Sequence, residues 1–163
     1  MNEEIKEVEK EIAKLQDKLA ILKSKKSKVW KPEECEVYYF ITAYGDIYKE
    51  VYIEGCNEDI GRYSISNCYK TKSDAEFALE KQKLLVAMQR YADEHNEEEI
   101  DWNNDRQSKY SLNYNYNLKK FNYGIWETMK QFGQIYFTSK EIAENCVKEL
   151  GKDKIAKYLF GVE

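Results

Sequence analysis

Between residues 5 and 22 the apolar positions recur at steps of 3, 4, 3, 4 and 3: Ile5, Val8, Ile12, Leu15, Leu19 and Leu22. This is a heptad seam, with Ile5, Ile12 and Leu19 at a and Val8, Leu15 and Leu22 at d. A stripe this narrow suits a coiled coil better than a helix lying on its own domain, so residues 1–28 are expected to form a helix that joins copies of the chain. A parallel pair would bring Glu4 toward the partner's Glu9 and Lys18 toward the partner's Lys23, both repulsive. The acidic first half and basic second half suit an antiparallel pair. They also complement the helix dipole, at about 0.3–1 kcal/mol per charge, which leaves the orientation open. Lys25, Lys26 and Lys28 make a basic joint, and Pro32 ends any helix and marks the boundary with a body over residues 29–163.

In the body the period changes from helical to alternating. Val37 to Tyr44 and Ile47 to Ile53 read as two strands around a turn at Gly45-Asp46, with Ile47, Val51 and Ile53 on one face. Residues 54–61 read as a loop, and Arg62 to Tyr69 as a third strand. Thr71, with Asp74 three residues on, then caps a long helix whose Phe77, Leu84, Met88 and Tyr91, flanked by Ala78, Leu85 and Ala92, should cover the sheet. This is a first strand-to-helix unit, over residues 33–95.

A second unit follows over residues 110–163. Tyr110, Leu112, Tyr114, Tyr116 and Leu118 alternate with Ser111, Asn113, Asn115 and Asn117, predicting a strand with the two sets on opposite faces. Phe121 to Trp126 should pair with it through a turn at residues 118–120. A last strand over residues 134–137 leads to a helix capped by Thr138, burying Ile142, Ala143, Cys146, Val147 and Leu150 and ending at Gly151. A short helical turn over residues 155–159 closes the chain. The expected fold class is therefore α+β, a coiled-coil helix followed by an antiparallel-sheet domain of two units.

The units are joined by an acidic linker over residues 93–109. Within it, Asp93 to Asp105 holds seven acids and neither Lys nor Arg. Asp101 to Asp105 begins like a calcium loop, but Arg106 and Leu112 stand where that loop needs Gly and Glu. A solvated linker is the plain interpretation, and a docking surface for a basic partner the sharper one.

Composition narrows the chemistry. A net charge of −4 and only one histidine, His95, argue against direct nucleic-acid binding and against a general acid–base site. Cys35, Cys56, Cys68 and Cys146 form no C-x-x-C pair, so neither structural zinc nor any other metal or cofactor is expected. The charged N-terminus and the lack of a long apolar run predict a cytoplasmic chain with no membrane span, whose cysteines stay reduced. Fourteen tyrosines against six phenylalanines suit half-buried strands and binding surfaces alike.

The leading heptads, Trp30 and Pro32, Tyr38-Tyr39, Gly45, Arg62, Asn67, the run from Tyr69 to Lys81 and the closing Lys157 to Gly161 together resemble small accessory proteins of phages and prophages of Gram-positive bacteria. The resemblance implies a non-enzymatic product of the host bacterial cytoplasm that disarms a defence system by binding. One kind of such binder occludes a host protein, for example a CRISPR nuclease. Glu97, Glu98, Glu99 and Asp101 would then imitate a nucleic-acid backbone. The other kind is an oligomeric sponge for a nucleotide signal, with Tyr39 and Tyr44 stacking on bases, Arg62 gripping phosphate and Asn67 beside it. A virion or replication accessory protein is a further alternative.

Overall fold

A computed structural model describes residue 5, residues 7–12, 14–16 and 18, and residues 29–162. The chain is a mixed helix-and-sheet protein with small antiparallel sheets. The described N-terminal residues up to 18 are helical, and Ile5, Val8, Ile12 and Leu15 are 49–60% exposed. Leu19 and Leu22 of the expected seam, and the lysines at 25–28, lie outside the described residues.

The first sheet is a hairpin of β1 (Val37–Ile41) and β2 (Ile47–Val51), pairing Val37 with Val51 and Ile41 with Ile47. Thr42 Oγ1 accepts from the amides of Tyr44 and Asp46, and Gly45 takes φ 83, so the turn falls at the expected place. The buried face is the one opposite Ile47, Val51 and Ile53. Val51 and Ile53 are exposed, whereas Tyr38 and Tyr52 on the opposite face are buried.

The reason is a helix in place of the expected loop. α1 (Asn57–Ser64) packs on the face that holds Tyr38, Phe40 and Tyr52. Glu58 and Asp59 in its first turn and Arg62 in its last complement its dipole. The third strand expected over residues 62–69 does not form. Arg62 to Ser64 belong to α1, Ser66 turns the chain at φ 59, and Tyr69 makes a single antiparallel bridge to Tyr39. Gly55 and Gly61 gave this stretch the look of a loop, although Gly61 lies inside the helix.

α2 (Lys72–His95) starts at a complete capping box. Thr71 Oγ1 accepts from the Asp74 amide at 3.1 Å, and the Thr71 amide donates to Asp74 Oδ2 at 3.2 Å. Leu84, Met88, Tyr91 and Ala92 face the core, while Phe77 and Leu85 remain partly exposed at 38% each.

The second sheet has the order β4 (Lys120–Trp126), β3 (Lys109–Asn115), β5 (Tyr136–Phe137), all antiparallel. The clean alternation over 110–118 overstates β3. The strand stops at Asn115, whose Oδ1 accepts from the Leu118 amide, and Lys119 turns at φ 48. Tyr116 and Leu118 are thus exposed. Ser111 is buried and accepts from Trp126 Nε1 at 2.8 Å. A Cβ on Gly124 would stand 2.9 Å from that indole nitrogen, so the glycine makes the contact possible.

α3 (Lys140–Leu150) and α4 (Lys152–Phe160) close over this sheet, hinged at Gly151 with φ 94. The cap of α3 is Ser139, which accepts from the Ile142 amide; Thr138, the expected cap, is drawn away to Asn96. Leu112 and Phe137 from the sheet meet Ala143, Cys146, Val147 and Ile155 from these helices against α2, a single cluster of well-buried apolar groups. Among the described residues no helix is long and apolar enough to cross a membrane.

Candidate functional site

Arg62 and Asn67, two of the expected ligand-binding residues, are engaged in holding the first sheet. Arg62 Nη1 donates to the Tyr38 hydroxyl at 2.6 Å and lies 3.4 Å from Asp59 Oδ1, with its guanidinium 3.8 Å above the Phe40 ring. Asp59, 2% exposed, accepts from Tyr38 at 2.5 Å and from the Ile53 amide at 2.9 Å. Burial pushes the Asp59 carboxyl up, but the bonds from Tyr38 and Ile53 and the Arg62 charge outweigh it and hold the group below its usual range. Burial, joined by the Asp59 hydrogen bond, pushes the Tyr38 hydroxyl up to about 12.

Asn67 satisfies both backbone groups of Ile41, donating to its carbonyl and accepting from its amide at 2.8 Å each. It takes the place of the missing strand there. Tyr39 is half-buried at the bridge to Tyr69. Tyr44, 94% exposed on the hairpin turn, lines a separate cavity of about 450 Å³ with Leu79, Val86 and Arg90 of α2. These four residues do not converge on one pocket.

The acidic segment does form a concave site. A groove of about 690 Å³ runs between the end of α2, the loop after it and residues 130–136. Asp93, Glu97, Glu98 and Glu99 line it, with Lys130 as the one basic group among its lining residues. Among the described residues none of the four acids makes an ion pair. Asp101 is not part of the lining; its carboxylate accepts from the Asn103 amide at 2.9 Å and closes a local turn.

The groove is braced by polar contacts from beneath. Asn96, the C-cap of α2, donates to the Tyr136 carbonyl and accepts from the Thr138 amide, and Thr138 Oγ1 accepts from the Glu97 amide at 3.2 Å. Buried Gln107 accepts from the Asp101 amide and donates to the Glu99 carbonyl, at 2.8 Å each. Lys109 is wholly buried: its ammonium donates to the carbonyls of Asn104 and Glu127 at 2.8 and 2.6 Å, tying the acidic loop to the end of β4.

The wall is aromatic. Trp102 meets Tyr136 edge to face at 4.7 Å and 78°, and the ammonium groups of Lys109 and Lys130 lie 5.4 and 5.9 Å from the Trp102 ring centre. The loop that supplies Lys130 and Gln134 to the groove also carries Met129, 67% exposed, and Phe132, fully exposed. Sequence reading passed over Trp102, Lys130, Phe132 and Tyr136. The signal was present as an aromatic inside an acidic run and an apolar pair in a Gly-containing loop, but neither reveals that the two segments meet.

The carboxylates and the aromatic wall are groups that can take a cation. His95 stacks on Tyr91 at 3.9 Å, and its Nδ1 lies 2.9 Å from the Tyr91 carbonyl oxygen. Burial pushes the Cys146 thiol up to about 12, well away from a reactive thiolate. Among the described residues no three His, Cys, Asp or Glu side chains converge to hold a metal ion. Comparison with family models, with curated proteins and with solved structures finds no match.

Proposed function

We propose that this is a non-enzymatic binding protein that occludes a protein partner, taking a basic segment of it into the acidic groove at the end of α2. The observation that carries this reading is the meeting of four carboxylates that make no ion pair among the described residues with an aromatic wall, next to a loop that exposes Met129 and Phe132. Carboxylates attract and orient Lys or Arg, Trp102 offers a face to a guanidinium, and Phe132 can enter a pocket on the partner. In the setting implied by the resemblance, the partner is a host defence protein whose basic channel normally takes nucleic acid, such as a CRISPR nuclease. The N-terminal heptads belong to the same reading as a coiled-coil joint between copies. A nucleotide sponge built on Arg62 has less support, because Tyr38, Asp59 and Phe40 already occupy that guanidinium.

The test is capture from host lysate by three proteins: wild type, a Glu97→Gln/Glu98→Gln/Glu99→Gln triple variant, and Phe132→Ser. A basic protein retained by wild type and lost by both variants, with their folds intact by circular dichroism, is the expected outcome. A nucleotide released on heating wild type, with no protein dependent on the groove, would replace this reading with the sponge.

A further inference from the structure

We propose that two copies of the chain join through the N-terminal helix in antiparallel orientation, with Ile12 of each against Leu15 of the other. In that register Glu11 of each lies beside Lys18 of the other. The proposal rests on reading the heptads as a joint between copies, and adds direction and register.

The described part of the seam needs a cover. Ile5, Val8, Ile12 and Leu15 lie on one stripe of a helix and are half exposed with the body in place, so the chain's own body does not bury them. The heptad spacing fits a helix of the same repeat, and a second copy supplies one.

The pairing of e and g charges favours the antiparallel direction. With Ile5 at a, the g positions are Glu4, Glu11, Lys18 and Lys25, and the e positions are Glu9, Gln16 and Lys23. A parallel pair sets each g beside the e five residues further on the other helix. That gives Glu4 with Glu9, Glu11 with Gln16 and Lys18 with Lys23, two repulsions and a neutral contact on each side. An antiparallel pair sets g beside g. Centred between residues 14 and 13, it matches Glu11 with Lys18 and Glu4 with Lys25, both attractive, and sets e beside e as Glu9 with Gln16, a neutral contact. The same centring fills every seam layer with an a residue against a d residue. Glu11, Lys18, Ile12 and Leu15, which form the middle of this register, are all described, helical and exposed.

Sedimentation equilibrium of the full chain tests this. Wild type is expected to be a dimer. Lys18→Glu sets the new carboxylate against the partner's Glu11 at both symmetry-related contacts, and should weaken dimerisation roughly tenfold as two pairs turn from attraction to repulsion. Glu11→Lys should do the same, and the double exchange should recover most of the loss. In a parallel pair Lys18→Glu would instead meet the partner's Lys23 and tighten the dimer. That result overturns the orientation while leaving the joint between copies. Leu15→Glu should give a monomer whose circular dichroism still reports a folded body. A wild type that is monomeric at every concentration, or a dimer untouched by Leu15→Glu, overturns the joint itself.

Discussion

Replacing Asp59 by alanine tests whether Arg62 and its neighbours are a structural clasp. The carboxylate lies 2.5 Å from the Tyr38 hydroxyl, 2.9 Å from the Ile53 amide and 3.4 Å from Arg62. Its loss strands two donors, each at about 1–3 kcal/mol, and leaves a partly buried guanidinium without its counter-charge. Breaking a buried pair from one side costs about 3–5 kcal/mol, a large part of the roughly 5–15 kcal/mol that holds a domain together. Asparagine should rescue little, because an amide offers oxygen to only one of two donors that approach different carboxylate oxygens. Urea unfolding followed by circular dichroism should show the midpoint falling by roughly 2 M, given a slope of about 2 kcal/mol per molar. The acid limb of stability should also flatten. With its folded value depressed, Asp59 contributes stability that is present above about pH 4 and is lost as pH falls through the folded value. If Asp59→Ala unfolds within about 0.5 kcal/mol of wild type, the range of an ordinary surface substitution, the clasp is not holding α1 to the hairpin.

Ser139→Ala should cost about 0.5–2 kcal/mol as the cap of α3, and Thr71→Ala a similar amount at α2; equal stability of Ser139→Ala and wild type in urea would misplace that helix start. Tyr38, with its hydroxyl pushed up to about 12, favours folding fully below about pH 10 and progressively less as pH rises toward 12. Tyr38→Phe should therefore reduce the alkaline slope of stability by about one proton, and an unchanged slope would count against its burial. Lys109→Met leaves the carbonyls of Asn104 and Glu127 without their donor, so hydrogen exchange at residues 100–108 should speed up by about tenfold or more. Protection equal to wild type would show that the loop is held by other contacts.

Local signals located the hairpin turn at Gly45, the capping box at Thr71 and Asp74, and the buried stripe of α3, because each is decided within a few residues. The stretch from Gly55 to Tyr69 was misread for a reason of the same kind. The loop expected over residues 54–61 and the strand expected over 62–69 are local readings, while the decisive interaction, Asp59 with Tyr38, spans 21 residues. Ser139 became the cap because Thr138 is recruited by Asn96, 42 positions away. The candidate site was half legible. The charge of Glu97 to Glu99 is plain in the sequence, but the groove exists only because β5 and the 129–134 loop come to lie beside the end of α2.

The central claim is most directly tested by titrating the protein with a short arginine-rich peptide while following the indole N–H signal of Trp102, assigned through Trp102→Phe. The groove account predicts a saturating shift of that signal. It also predicts roughly tenfold weaker binding in the Glu97→Gln/Glu98→Gln/Glu99→Gln variant, and further weakening as salt rises from about 0.05 to 0.5 M, since these exposed charges are screened. A Trp102 signal that stays still at saturation, or binding that the triple variant leaves unchanged, would contradict it.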